Sequence, residues 1–105
     1  MIPTVNVDGL AYIEDNYVQS GVLLEKRTNM DIHSDKCEKT MAGVDLNRNY
    51  GYKFGTGDST KYECLSDTYQ GPQAFSEPET QAMRDFLTAR KDEIKFVYNF
   101  HCAGK

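Results

Sequence analysis

The stretch GVDLNRNYGYKFG, residues 43 to 55, closes an apolar run with an acid, sets an amide beside a guanidinium, and then breaks into glycine and aromatic residues. Arg48 can grip a carboxylate through two parallel hydrogen bonds, and the amide of Asn47 can donate a third. Asp45 would hold its neighbours by hydrogen bonds within the loop. A turn amide beside a surface arginine has the same sequence, so the pair needs a site around it. His101 ends the apolar run IKFVYNFH and is either a structural side chain or a ligand. Cys102 next to it is either part of a metal site or a small buried hydrophobe. Cys37 and Cys64 bracket the Asn-Arg pair. A bridge between them would close a loop around it, worth roughly 3 to 4 kcal/mol on the chain-entropy account, and would imply a secretory or lumenal compartment. Two free thiols in a cytosolic protein are the other reading.

The elements that must position these residues give a coarse α/β pattern. IPTVNV reads as a strand stopped by the turn NVDG. LAYIEDNYVQSGVLLEKR has no clean period and reads as loop with a possible helix. Residues 28 to 40 are polar, as in a surface loop, and AGVDLN is a short apolar run suited to a buried strand end. Residues 51 to 75, rich in glycine and aromatics, form one long ordered loop. Ser76 and Glu79 have the spacing of a capping box, and Pro78 falls in the first turn, so a helix is predicted to start there. Ala82, Met83, Phe86 and Leu87 then make an apolar stripe facing a core. IKFVYNFH is apolar on both parities, as in a strand covered on both faces. His101 thus stands at a carboxyl strand end, where ligands gather in open α/β sheets.

Length and composition bound the answer. The 105 residues suit one small domain or a piece of a larger one, spanning 1–105 with no second domain expected. Hydrophobic residues make up 39% and charged residues 27%, the balance of a soluble globular protein. A formal charge of -4, with no basic cluster, argues against a nucleic-acid partner. No apolar run approaches the roughly 18 residues of a membrane span, and no signal-peptide pattern opens the sequence.

Three ordered blocks carry a family resemblance: GVDLNRN, then CLSDTYQGPQAFSEPETQA, then a strand ending in NFH. Together they resemble the middle of a zinc carboxypeptidase of the carboxypeptidase A and B type. The likeness runs from about Val5 to the last residue, is weaker from Leu10 to Lys26, and includes an enlarged loop before Gly43. The resemblance implies the central portion of a mixed, mostly parallel eight-stranded sheet with helices on both faces, and hence an incomplete catalytic domain. It implies removal of the C-terminal residue from peptides and proteins, with a non-catalytic module that binds C-terminal carboxylates as the alternative.

Residue by residue, Asn47 and Arg48 match the pair that binds the substrate's free α-carboxylate, and His101 matches the third zinc ligand. KRTNM resembles the family's Arg-Lys-Asn stretch. That makes Arg27 the arginine facing the oxyanion, with Lys26 competing for the same register. Cys37 and Cys64 resemble a disulfide of the family's secreted branch, which implies a secreted or lysosomal-lumen location, the cytoplasm remaining the other possibility. The implied cofactor is one zinc ion. The implied partner is a peptide with a free C-terminus, bound by a monomer away from membranes. The sequence also departs from the family pattern. It has no His-x-x-Glu pair, because His33 is followed at that spacing by Lys36, and the catalytic glutamate would follow Lys105. After His101 the sequence HCAGK lacks the usual Ser or Thr and aromatic residue. The chain is therefore expected to be a fragment, inactive alone.

Overall fold

The computed structural model describes residues 1–31, 42–57 and 66–101. Among them are α1, Val7–Ser20, a short 3-10 turn, Leu46–Arg48, and α2, Pro78–Ala89, with no extended strand.

Residues 2–6 form no strand, and the expected turn instead starts helix α1, which runs on through the stretch expected as loop with a possible helix. Its start is local chemistry: the Asn6 side chain accepts from the Gly9 N–H at 3.0 Å, and Asp8 lies in the first turn, where a negative charge suits the helix dipole. Its end is equally local, because Gly21 takes a left-handed φ of 69° and donates its N–H to the Tyr17 carbonyl at 2.8 Å. Asn6 also ties the helix to the chain ahead, its Nδ2 donating to the carbonyls of Arg27 at 3.2 Å and Thr28 at 3.1 Å.

The core is built on segment 42–46. Ala42, Val44, Leu46 and Tyr69 are its buried hydrophobic residues, and around them Thr28, Asn29, Asp45, Asn49, Gln70, Glu77 and Thr80 are buried too. A core this polar holds together because its groups are paired. The Asn29 N–H donates to the Val44 carbonyl at 2.9 Å, while its Oδ1 accepts the Val44 N–H at 2.9 Å. The Asp45 N–H donates to the Tyr69 carbonyl at 2.8 Å, and Thr28 Oγ1 donates to the Ala42 carbonyl at 2.6 Å. Segment 42–46 thus runs between its neighbours as a buried strand end would, without reaching strand length. Thr28 and Asn29, expected in a surface loop, are instead interior. The described parts of the long loop, 51–57 and 66–75, are turns, with Tyr50 set edge-on to Phe75 at 5.8 Å.

Helix α2 begins at Pro78, as its sequence predicts, but not through a capping box. Its N-cap is Glu77, which makes no side-chain capping bond. The Ser76 hydroxyl is occupied by tertiary partners, accepting from Asn49 Nδ2 at 2.8 Å and bonding the Glu77 carboxylate. Glu79 Oε2 is buried without a partner among the described residues. The apolar stripe is also less covered than expected, with Ala82 and Phe86 exposed. The residue α2 buries fully is Thr80. Residues 94–100 do not form a covered strand: Phe96 is 80% and Phe100 90% exposed. A strand exists only with a partner to receive its N–H and C=O groups, and among the described residues 95–100 make no backbone hydrogen bond to another segment.

Candidate functional site

The Asn-Arg pair stands on the 3-10 turn, and Asp45 makes that turn. Its Oδ1 accepts the Asn47 N–H at 3.0 Å, and its carbonyl accepts the Arg48 N–H at 2.8 Å. This is the local pattern by which an Asp closes the backbone two residues on. Asn47 is exposed and Arg48 half-buried. With Tyr50, Tyr52, Lys53, Gly55, Thr56 and Gly57 they line an open groove of ≈ 250 Å³. That lining has two cations and no acid. The Arg48 guanidinium makes one long bond, from Nη1 to the Asn47 carbonyl at 3.4 Å, and no ion pair with a carboxylate of the described residues. Its hydrogen-bonding fork is available to a ligand. Tyr50 in the groove wall has its phenol pKa pushed above the ordinary value by burial.

Arg27 comes to the same turn from 18 residues upstream. Its Nε donates to Asp45 Oδ2 at 2.6 Å, with the Arg27 side chain 41% exposed and that of Asp45 only 3%. Lys26 faces the other way. It is buried, its Nζ donates to the Ala42 carbonyl at 2.6 Å and lies 5.8 Å from the centre of the Tyr12 ring, and burial lowers its pKa. Arg27 and Asn47 therefore meet the two oxygens of one buried carboxylate, Arg48 is tied to the same residue through its backbone, and Lys26 is not among them.

Two residues that sequence reasoning passed over hold this arrangement. Asn49, fully buried, donates through Nδ2 to the carbonyls of Gln70 at 2.8 Å and Gln73 at 3.0 Å, and its Oδ1 accepts from Thr80 Oγ1 at 2.6 Å. Glu77, also fully buried, accepts from Asn29 Nδ2 at 2.7 Å. Together they tie the Arg27 segment, the Asn-Arg turn and the start of α2 into one body. The Asp45 turn has a local signal in its spacing. The partners of Asn49 and Glu77 lie 21 to 48 residues away and have none.

His101 is exposed at the end of residues 94–101. No group of three His, Cys, Asp or Glu side chains that could hold a metal ion occurs among the described residues. A single imidazole does not make a zinc site, so the described residues do not by themselves fit the metal. Cys37, Cys64, Cys102 and His33 lie outside the described residues. No helix among the described residues is long and apolar enough to cross a membrane.

Comparison with known proteins gives this geometry a family. The family model described as zinc carboxypeptidase matches residues 1–105. The chain is 30% identical over 101 residues to mast cell carboxypeptidase A of Mus musculus, covering 96% of this chain and 22% of that protein. It is 31% identical over 101 residues to a zinc carboxypeptidase of Simulium vittatum, covering 96% and 30% respectively. Among solved structures, thrombin activatable fibrinolysis inhibitor superposes with a TM-score of 0.70 at 34% identity, over 90% of this chain and 21% of that one. Carboxypeptidase A from Helicoverpa armigera superposes at 0.67 and 31%, over 89% and 20%. The chain thus spans about a fifth to a third of the length of the relatives it matches, and it belongs to the zinc carboxypeptidase family.

Proposed function

We propose that this chain supplies the carboxylate-binding and oxyanion-facing part of a zinc-dependent metallocarboxypeptidase that removes the C-terminal residue from peptides and proteins. The observation that carries the reading is the turn at Asp45, which presents Asn47 and an Arg48 without an ion-pair partner among the described residues to a groove whose described lining has no acid. A substrate's terminal carboxylate would take the Arg48 fork bidentately, with the Asn47 amide as a further donor. That contact fixes the last residue in place and so makes binding an act of orientation. Arg27, braced from the other side of Asp45, would meet the negative oxygen that develops on the scissile carbonyl. The burial of Lys26 supports Arg27 in that role.

Zinc is the metal the family implies, and His101 is the ligand this chain would contribute. The residues of this chain are assigned substrate binding and orientation, not the handling of the metal. On the same reading segments 42–46 and 94–101 become strands of a mixed sheet once neighbouring strands lie beside them. Cys37 and Cys64 are bridged, and the protein acts in a secreted or lysosomal-lumen setting. Peptide mapping without reduction checks the bridge, and a Cys64 to Cys102 peptide would exclude it.

The decisive experiment compares free-acid and C-terminally amidated peptides in the full-length protein. Arg48→Ala is expected to lower kcat/KM on free-acid peptides roughly thirtyfold to a thousandfold, the value of a desolvated bidentate charge contact. It should change the already slow amidated substrates little. Arg27→Ala should instead depress turnover of both, because an oxyanion forms in either case. Equal effects of both variants on both substrates would defeat the assignment. Binding of free-acid peptides without hydrolysis would leave the alternative, a carboxylate-binding module.

A further inference from the structure

Phe75 has a backbone φ of 56°, in the left-handed region where a bulky side chain crowds its own backbone. Glycine or asparagine makes the same bend with less strain, so what phenylalanine adds at this position is its ring. The bend is held at both ends. Its N–H donates to the Asn49 carbonyl at 2.7 Å, and its carbonyl accepts Gln81 Nε2, on α2, at 2.9 Å. So fixed, the ring joins α2 to the groove. The Arg84 guanidinium of α2 stands 5.1 Å from its centre. The Tyr50 ring meets it edge-on, with 5.8 Å between centres and 87° between planes. The approach to the next residue is as close, because a Cβ at Gly51 would lie 2.9 Å from Phe75 Cε2. Tyr50 lines the groove with Asn47 and Arg48. It has no side-chain hydrogen bond among the described residues, so the ring contact is what orients it.

We infer that Phe75 is a positioning residue for the groove: its ring ties Tyr50 to α2 and so holds the wall beside Arg48 in place. An anion gripped by Arg48 then meets a wall already set, which reduces the ordering cost of binding. The effect on peptides rests on the carboxypeptidase reading, whereas the ring pairing does not.

The test compares Phe75→Asn with Phe75→Tyr in the full-length protein. Asparagine tolerates the left-handed backbone but removes the ring, and tyrosine keeps the ring. In Phe75→Asn, KM for free-acid peptides is expected to rise roughly threefold to tenfold, the value of an aromatic pair, with kcat within about twofold. Phe75→Tyr should bring KM back to within about twofold of the starting value. In the Tyr50→Ala background Phe75→Asn should add nothing, because the residue it positions is gone. A KM that Phe75→Asn leaves unchanged, or losses that multiply across the two positions, would overturn the proposal.

Two readouts need no activity. With the aromatic rings of the unmodified protein 13C-labelled, a nuclear Overhauser contact should join the Phe75 and Tyr50 rings, and its absence would refute the pairing. Burial holds the Tyr50 phenol pKa above its ordinary value, and in Phe75→Asn that pKa should fall toward about 10 as water reaches the ring. An unmoved Tyr50 titration would reject the positioning role even in an active enzyme. The ring contact and a shifted titration in a protein that cleaves neither free-acid nor amidated peptides would uphold the positioning and reject the activity.

Discussion

Removing the Asn49 side chain is the sharpest test of how the site is built, because Asn49 carries no proposed contact with substrate yet sits between the elements that do. Its amide nitrogen has two hydrogens and reaches three acceptors, the Gln70 and Gln73 carbonyls and Ser76 Oγ, at 2.8 to 3.0 Å. Its oxygen accepts one short bond from Thr80 Oγ1 at 2.6 Å and one long bond from the Glu77 N–H at 3.3 Å. Three of these count in full: two donated bonds and the Thr80 bond. Asn49→Ala removes these three bonds at about 1 to 1.5 kcal/mol each, so the expected loss is about 3 to 4.5 kcal/mol. That is a large share of the roughly 5 to 15 kcal/mol that holds a domain together. Urea unfolding of the full-length protein, followed by far-ultraviolet circular dichroism and compared at unchanged m-value, measures it. Asn16→Ala is the control. It removes a single helix-surface bond, Nδ2 to the Tyr12 carbonyl at 2.7 Å, and should cost under about 1 kcal/mol. If Asn49→Ala costs no more than that control, the three bonds are not cooperating and the account of the core fails.

Two further perturbations probe neighbouring features. Gly43 has a φ of 94°, and a Cβ there would lie 2.0 Å from the Asn29 carbonyl oxygen, a backbone atom that cannot step aside. Gly43→Ala is therefore expected to cost more than about 3 kcal/mol, and a thermal midpoint within two or three degrees of the starting protein would contradict it. Tyr50 is kept neutral by burial, so its stabilising contribution is complete below the unfolded value near pH 10 and is lost as pH rises through its higher folded value. Lys26, whose pKa burial lowers, acts in the opposite sense, gaining stability as pH rises through its depressed value toward about 10.4. Ultraviolet titration of the tyrosines should show a late step that Tyr50→Phe removes, and alkaline unfolding should become shallower in that variant. A titration curve whose late step survives Tyr50→Phe would reject the assignment.

What the sequence alone determined lies within a few residues of its cause. The pairing of Asn47 with Arg48 beside Asp45 is legible because a side chain two positions upstream closes the turn. Pro78 marks the first turn of α2 because its missing N–H costs nothing there. Local signals also existed for α1, in Asn6, Asp8 and Gly21, but NVDG fits a turn as well as a helix start, and only the tertiary bonds from Asn6 to residues 27 and 28 choose between them. Family likeness in three ordered blocks marked the sequence from about Val5 onward as zinc carboxypeptidase, and the family match extends over residues 1–105. Tertiary structure alone decided which basic residue joins the turn. Lys26 and Arg27 are adjacent and similar in sequence, yet one is buried on the Ala42 carbonyl and the other meets Asp45. It alone diverted Ser76 from its capping box, by placing Asn49 against the hydroxyl. It also left residues 95–100 exposed, since whether an apolar run becomes a strand depends on the chain beside it. A hydrogen bond between residues 18 to 48 positions apart leaves no periodicity to read, and these bonds hold the site together.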